Sequence, residues 1–139
     1  MARVEYVILA DSATVADGKL YIHGGGWGAI AAHQFPVAHK SFGVAFATRV
    51  GWNETNQPLD LSLDVVDQDA KSILPSGAAL SCGTLRVGRP PQIVAGTDQT
   101  VPGVVTLEGL TFPAGGTYAV VLSINGAEAA RSTFQVIAA

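Results

Sequence analysis

Apolar and polar residues alternate with a period of two along much of this 139-residue chain, the pattern of half-buried strands. The cleanest case is Leu59, Leu61, Leu63 and Val65, which alternate with Asp60, Ser62 and Asp64. In SFGVAFATRV, Phe42, Val44, Phe46, Thr48 and Val50 share one face, and Ala45, Ala47 and Arg49 share the other. Tyr118, Val120, Leu122 and Ile124 form another such row, followed by Asn125-Gly126, a strong hairpin signal. The last strand carries Ala130, Phe134 and Val136. No stretch keeps the 3.6-residue apolar period of an amphipathic helix.

The remaining segments are read from their turn residues. Residues 3–10 form a first strand, and residues 11–19 a loop closed by the favoured pair Asp17-Gly18. Residues 20–32 form a second strand, interrupted by Gly24, Gly25 and Gly26. Residues 67–71 turn the chain, and residues 78–87 form a fifth strand. Residues 88–102, with Pro90, Pro91 and Pro102, read as a long loop. Beyond it, Val105 and Leu107 have one parity and Leu110 and Phe112 the other, which places a β-bulge at Gly109. The expectation is an all-β, two-sheet antiparallel sandwich of about eight strands, one domain over residues 1–139.

Charge narrows the partners. The net charge is −3, and the eight lysines and arginines are scattered. Nucleic acid and anionic membrane are therefore not expected as partners, because both need a clustered basic face. No apolar run approaches the ~20 residues of a membrane helix. The run from Tyr6 to Ala10 is too short for a signal peptide. With a lone cysteine, Cys82, the expected location is cytoplasmic. Only 14% of residues are charged, against about 25% in an average domain. Ala45 and Ala47, and Ala119 and Val121, would leave weakly polar outward faces. The low charge reads either as an Ala/Gly/Thr-rich composition bias or, together with these faces, as a sign of self-association as a homodimer or higher assembly, or of binding an unidentified protein.

One stretch looks like chemistry. His23-Gly24-Gly25-Gly26-Trp27 has the form of the oxyanion-hole motif of lipases and esterases. Its companion G-x-S-x-G is missing. The nearest approach is Ala79-Leu80-Ser81-Cys82-Gly83, and no histidine follows Ser81. The glycines read better as a bend or close approach within a strand, with Trp27 covering an edge or capping the core. The hydrolase reading is the weakest of three. First is a non-enzymatic interaction or structural module. Second is a small-ligand or glycan site built on the glycine run and Trp27. The candidate interaction residues are His23, Gly24, Gly25, Gly26, Trp27 and Trp52, with no catalytic residue assigned.

Neither metal nor cofactor is expected. His23, His33 and His39 lack ligand spacing, and Asp67-x-Asp69 is followed by Lys71 where a calcium loop needs oxygen. Cys82 reads as a buried, inert thiol.

The opening VEYVILADSATVADGKLYIHGGGWGAI resembles that of an uncharacterised bacterial family, a domain of unknown function, in which an acidic loop precedes a GKL-x-I-x-G strand. FPVAHKSFGVAFATRV fits the following FP-strand, and LTFPAGGTYAVVLSINGAEAARSTFQV is similar to the closing hairpin of immunoglobulin-like sandwiches. The resemblance implies an immunoglobulin-like β-sandwich and brings no catalytic residues.

Overall fold

Two type I′ turns anchor the architecture. Asp17-Gly18 (φ 51° and 70°) and Asn125-Gly126 (φ 51° and 81°) both hold positive φ at their two central residues, the geometry whose twist suits a two-residue hairpin. The computed structural model describes residues 2–139. It has nine strands: β1 (Arg3–Ala16), β2 (Lys19–Gly25), β3 (Ala29–Ala32), β4 (Val37–Val50), β5 (Leu59–Val66), β6 (Leu80–Leu85), β7 (Gln99–Phe112), β8 (Gly116–Ile124) and β9 (Ala127–Ala138). A single 3₁₀ turn, Trp52–Glu54, is the one helical element among the described residues, so none is long and apolar enough to cross a membrane.

The strands form two sheets, ordered β2-β1-β4-β7 and β3-β9-β8-β5-β6. The expected two-sheet all-β sandwich is what the chain adopts. One pair departs from the antiparallel expectation: β3 runs parallel to β9, Ala29 opposite Gln135 and Ala32 opposite Ala138. Phe42, Phe112, Phe134, Leu63, Val65 and Val120 fill the core between the sheets, all at most 1% exposed. Phe112, Tyr118 and Phe134 pack ring on ring. The Tyr118 hydroxyl donates to Ala114 O at 2.6 Å, which pins the turn before β8.

Several boundaries differ from the sequence expectation. The loop at 11–19 is strand as far as Ala16. Beyond Ala10, β1 pairs with β2 and no longer with β4, so a two-stranded arm forms without the one-sided burial that alternation reports. The second strand at 20–32 is two strands in different sheets. Pro102 lies within β7, not in a loop. It is tolerated because β7 is an edge strand, where a missing N–H need not break a ladder. At Gly109 (φ 65°) the core-facing parity does change. The pairing stays in step, however, with His39 opposite Leu110 and Ser41 opposite Glu108. No register shift interrupts the β4–β7 pairing, so the expected β-bulge is absent and no extra residue is inserted into β7.

The premise of an exposed alanine face also needs correction. Ala45 and Ala47 are 0% exposed and Ala119 is 5% exposed within the single chain. Ala45 sits between Ile8 and Val104, and Ala47 between Tyr6 and Pro102. Larger cross-strand neighbours thus flank these small side chains on a central strand. The β1–β2 arm also folds onto β4: a Cβ on Gly43 would come 3.3 Å from Ala13 N.

Candidate functional site

The glycine run is where the chain leaves one sheet for the other. Strand β2 ends at Gly25, and the Gly26 N–H donates to Leu9 O at 2.8 Å, tying the exit to β1. Two residues later Gly28 O accepts from Gln135 N–H at 2.8 Å, tying the entry to β9. Glycine is needed here for two separate reasons. Gly24 (φ 62°) and Gly26 (φ 86°) occupy the left-handed region. At Gly24 an added Cβ would also lie 2.4 Å from Asp11 Oδ2, and at Gly25 2.5 Å from Ile22 Cγ2. The reading of the run as a bend with close approach holds, and the bend is a sheet-to-sheet crossing.

Trp27 sits at the middle of that crossing. Its ring meets Phe42 (centroids 5.7 Å apart) and Phe134 (6.3 Å) edge to face. Phe42 belongs to one sheet and Phe134 to the other, so the indole plugs the end of the sandwich. Its Nε1 is buried and has no hydrogen-bond partner. Beside it lies a shallow hollow of about 360 Å³ lined by Asp11, Trp27, Ala29, Ile30, Ala31 and His39. The His39 ring is 5.7 Å from Phe42. The hollow thus offers a rigid aromatic body, a carboxylate and an imidazole around an apolar floor, which suits recognition of a surface carrying both apolar and polar groups.

The candidate residues are not all gathered there. His23 is exposed on β2, opposite Ser12 of β1. Trp52 is elsewhere: it follows the far end of β4, ten residues after Phe42, roughly 33 Å along an extended strand. The Arg89 guanidinium covers its ring at 4.0 Å and also donates to Thr55 Oγ1 (2.6 Å) and Trp52 O (2.7 Å). Trp52 therefore fastens the 86–98 segment to the 3₁₀ turn. Asp11 and His39 were not among the candidates. Asp11 lies in what read as a loop, and the continuation of β1 past Ala10 and the course of β4 place both beside Trp27.

Ser81, the nearest match to a hydrolase nucleophile, is on β6, at the opposite edge of its sheet from β3. Four strand spacings, about 19 Å, separate those edges. The Ser81 hydroxyl accepts from Gly83 N–H at 3.3 Å. Burial pushes the Cys82 thiol up from its ordinary range. No cluster of three or more His, Cys, Asp or Glu side chains able to hold a metal occurs among the described residues. In the 67–71 turn, Asp67 Oδ1 accepts from the Asp69 and Lys71 N–H groups at 2.9 and 3.0 Å.

The chain belongs to a family of unknown function (DUF6941), whose model matches residues 5–137. No curated protein matches it. Among solved structures it is similar to the Pseudomonas fluorescens alkylpurine DNA glycosylase AlkC bound to DNA containing an abasic site analogue, at 11% identity and a TM-score of 0.46. That match covers 98% of this chain and 30% of the glycosylase chain.

Proposed function

We propose that this member of the family is a non-enzymatic β-sandwich interaction module that self-associates through the hollow at the sheet crossing. The observation that carries the reading is Trp27, held by Phe42 and Phe134 beside an apolar floor that includes exposed Ala29 and Ala31. Ile137, 48% exposed, lies opposite Ala31 and extends that floor. A rigid aromatic loses little side-chain entropy on contact, so it is an economical anchor. The low charged fraction, 14%, favours a second copy as the partner. We expect sedimentation equilibrium at micromolar concentrations to give a mass above the 14.3 kDa of one chain. Ala31→Arg, which places a charge on the floor without disturbing the core, should return it to the single-chain mass. One species at monomer mass throughout would overturn the reading.

A small-ligand or glycan site in the same hollow is the second reading. Asp11 favours it, because a carboxylate beside an indole can accept sugar hydroxyl hydrogens. Titration with neutral oligosaccharides, followed by tryptophan emission, tests it against Asp11→Asn.

The sandwich itself we propose to be immunoglobulin-like. Three features support this: the Tyr118 hydroxyl bonded four residues back, the parallel β3–β9 pair, and the succession β9-β8-β5-β6 in one sheet.

A further inference from the structure

Each sheet has two edges, and three of the four edge strands are blunted. Strand β3 is only four residues long. Strand β7 contains Pro102, which has no N–H to offer. On β6 the pairing slips between Leu61 and Ser62, leaving Cys82 bulged next to Gly83 (φ 93°). Strand β2 has none of these interruptions from Lys19 to His23. It pairs with β1 in unbroken register from Ala16–Lys19 to Ser12–His23, and no strand pairs its other side among the described residues. The turn fixes which groups are free. In a two-residue hairpin the flanking pair, Ala16–Lys19, exchanges backbone hydrogen bonds, and so does every second pair beyond it, Thr14–Tyr21 and Ser12–His23. Leu20 and Ile22 therefore turn N–H and C=O away from β1. Beyond Ala10 the arm has no third strand, and a two-stranded ribbon is marginal in water. Its Tyr21 and Val15 are 47% and 43% exposed.

We propose that the β2 edges of two copies pair antiparallel about a twofold axis at Tyr21, so that one continuous sheet runs through both. The inference rests on the self-association proposed above and gives that contact its strand pairing. The edge matches itself. With Tyr21 opposite Tyr21, Leu20 lies opposite Ile22 of the second copy, so outward N–H and C=O groups meet and apolar residues face each other. Lys19, the one lysine of β2, falls opposite His23 of the second copy and not opposite another lysine. The pairing also reaches the hollow at Trp27, because Asp11, which lines it, lies against Gly24 near the end of β2. In this register Gly24 faces Gly18 of the second copy, which brings that copy's arm tip to the mouth of the hollow. The tip carries an anion and a cation, Asp17 and Lys19, and the hollow a carboxylate and an imidazole, Asp11 and His39. A second copy is favoured over a foreign peptide by closure. An added peptide strand leaves a new free edge, whereas a twofold contact uses the same edge twice and leaves none.

Disulfide trapping reads the register. Opposed residues of a non-hydrogen-bonded antiparallel pair have Cα atoms about 4.5 Å apart, within reach of a disulfide. In a Cys82→Ser background, Tyr21→Cys should therefore cross-link into a dimer on mild oxidation at micromolar concentration. Lys19→Cys should not, because the two introduced thiols would sit four residues, about 13 Å, apart along the strands. We expect roughly tenfold more cross-linked dimer from the first variant than from the second. Ile22→Pro removes an outward N–H while sparing the bonds to β1, and should bring the chain to the single-chain mass in sedimentation equilibrium with its thermal transition retained. Equal cross-linking of the two cysteine variants, in a chain that sediments above the single-chain mass, overturns the pairing and leaves the self-association reading standing. So does a mass unmoved by a folded Ile22→Pro. A wild-type chain at the single-chain mass overturns both. Pairing of an alternating valine–threonine peptide with β2 in such a monomer would make the edge a peptide site, and overturns the proposal as well.

Discussion

The two sides of the sandwich solve the same problem differently. At the β2/β3 side the chain itself crosses between the sheets, and Trp27 seals the gap by touching Phe42 and Phe134. At the β6/β7 side nothing crosses. Two edge strands face a cleft, and their ladders are interrupted by Pro102 and by the Cys82–Gly83 bulge. A sandwich core needs a cover wherever the sheets part. A covalent crossing provides one but demands glycine at positive φ at Gly24 and Gly26, whereas an open edge leaves apolar wall in contact with solvent. Mutations that open the Trp27 seal should therefore cost the most stability, and mutations beside the open edges less.

The most severe break of this contrast should be Trp27→Ala, which empties the seal. A large aromatic lost from a packed position costs about 3 kcal/mol or more, read as a lowered urea midpoint. Next is Gly24→Val, where a β-branched residue must adopt positive φ against Asp11. Backbone strain of this kind costs about 1–3 kcal/mol. Gly28→Val is its control: an added Cβ there meets nothing within 4 Å, and the midpoint should hardly move. Equal midpoints for the two variants would mean that the crossing is not tight.

On the open side, Gly103→Ala should cost about 1–2 kcal/mol by overpacking, because its Cβ would lie 2.5 Å from the Phe46 ring. Thr48→Val, by contrast, should leave thermal stability unchanged or raise it by up to about 1 kcal/mol, since it removes an unpaired hydroxyl. A clear fall in the melting temperature would show that Thr48 serves the fold.

The smallest effect concerns neither side. Burial pushes the Glu54 carboxyl up, but hydrogen bonds, including those from the Ala2 and Gly51 N–H groups, bring it below its ordinary range. A depressed folded-state value means stabilisation that is full above the ordinary carboxylate range and is lost as pH falls through the folded value. Glu54→Gln should therefore lower stability slightly at neutral pH and lose that difference in acid. Denaturation midpoints at pH 7 and in acid check this, and a gap that persists in acid would rule out ionisation as its source.

Much of this was legible in the linear chain. Asp17-Gly18 and Asn125-Gly126 declare their turns because few residue pairs accept two consecutive positive φ angles. The β5 row from Leu59 to Val65 and the core face of Phe42, Val44 and Phe46 were readable because side-chain direction within one strand has a fixed period. Other features depended on which strand lies beside which. The glycine run announced a bend, yet nothing local says that it passes between sheets or that β3 then pairs parallel with β9. Ala45 and Ala47 alternate as if outward, and only their neighbours Ile8, Val104, Tyr6 and Pro102 bury them. Trp27 and Trp52 looked alike in composition. Strand pairing sends one to join Asp11 and His39 and the other to lie beneath Arg89 at the far end of β4. The physical reason is range: periodicity and turn chemistry act over a few residues, whereas burial of small side chains, the site at Trp27 and the cleft between β6 and β7 arise from pairings tens of residues apart.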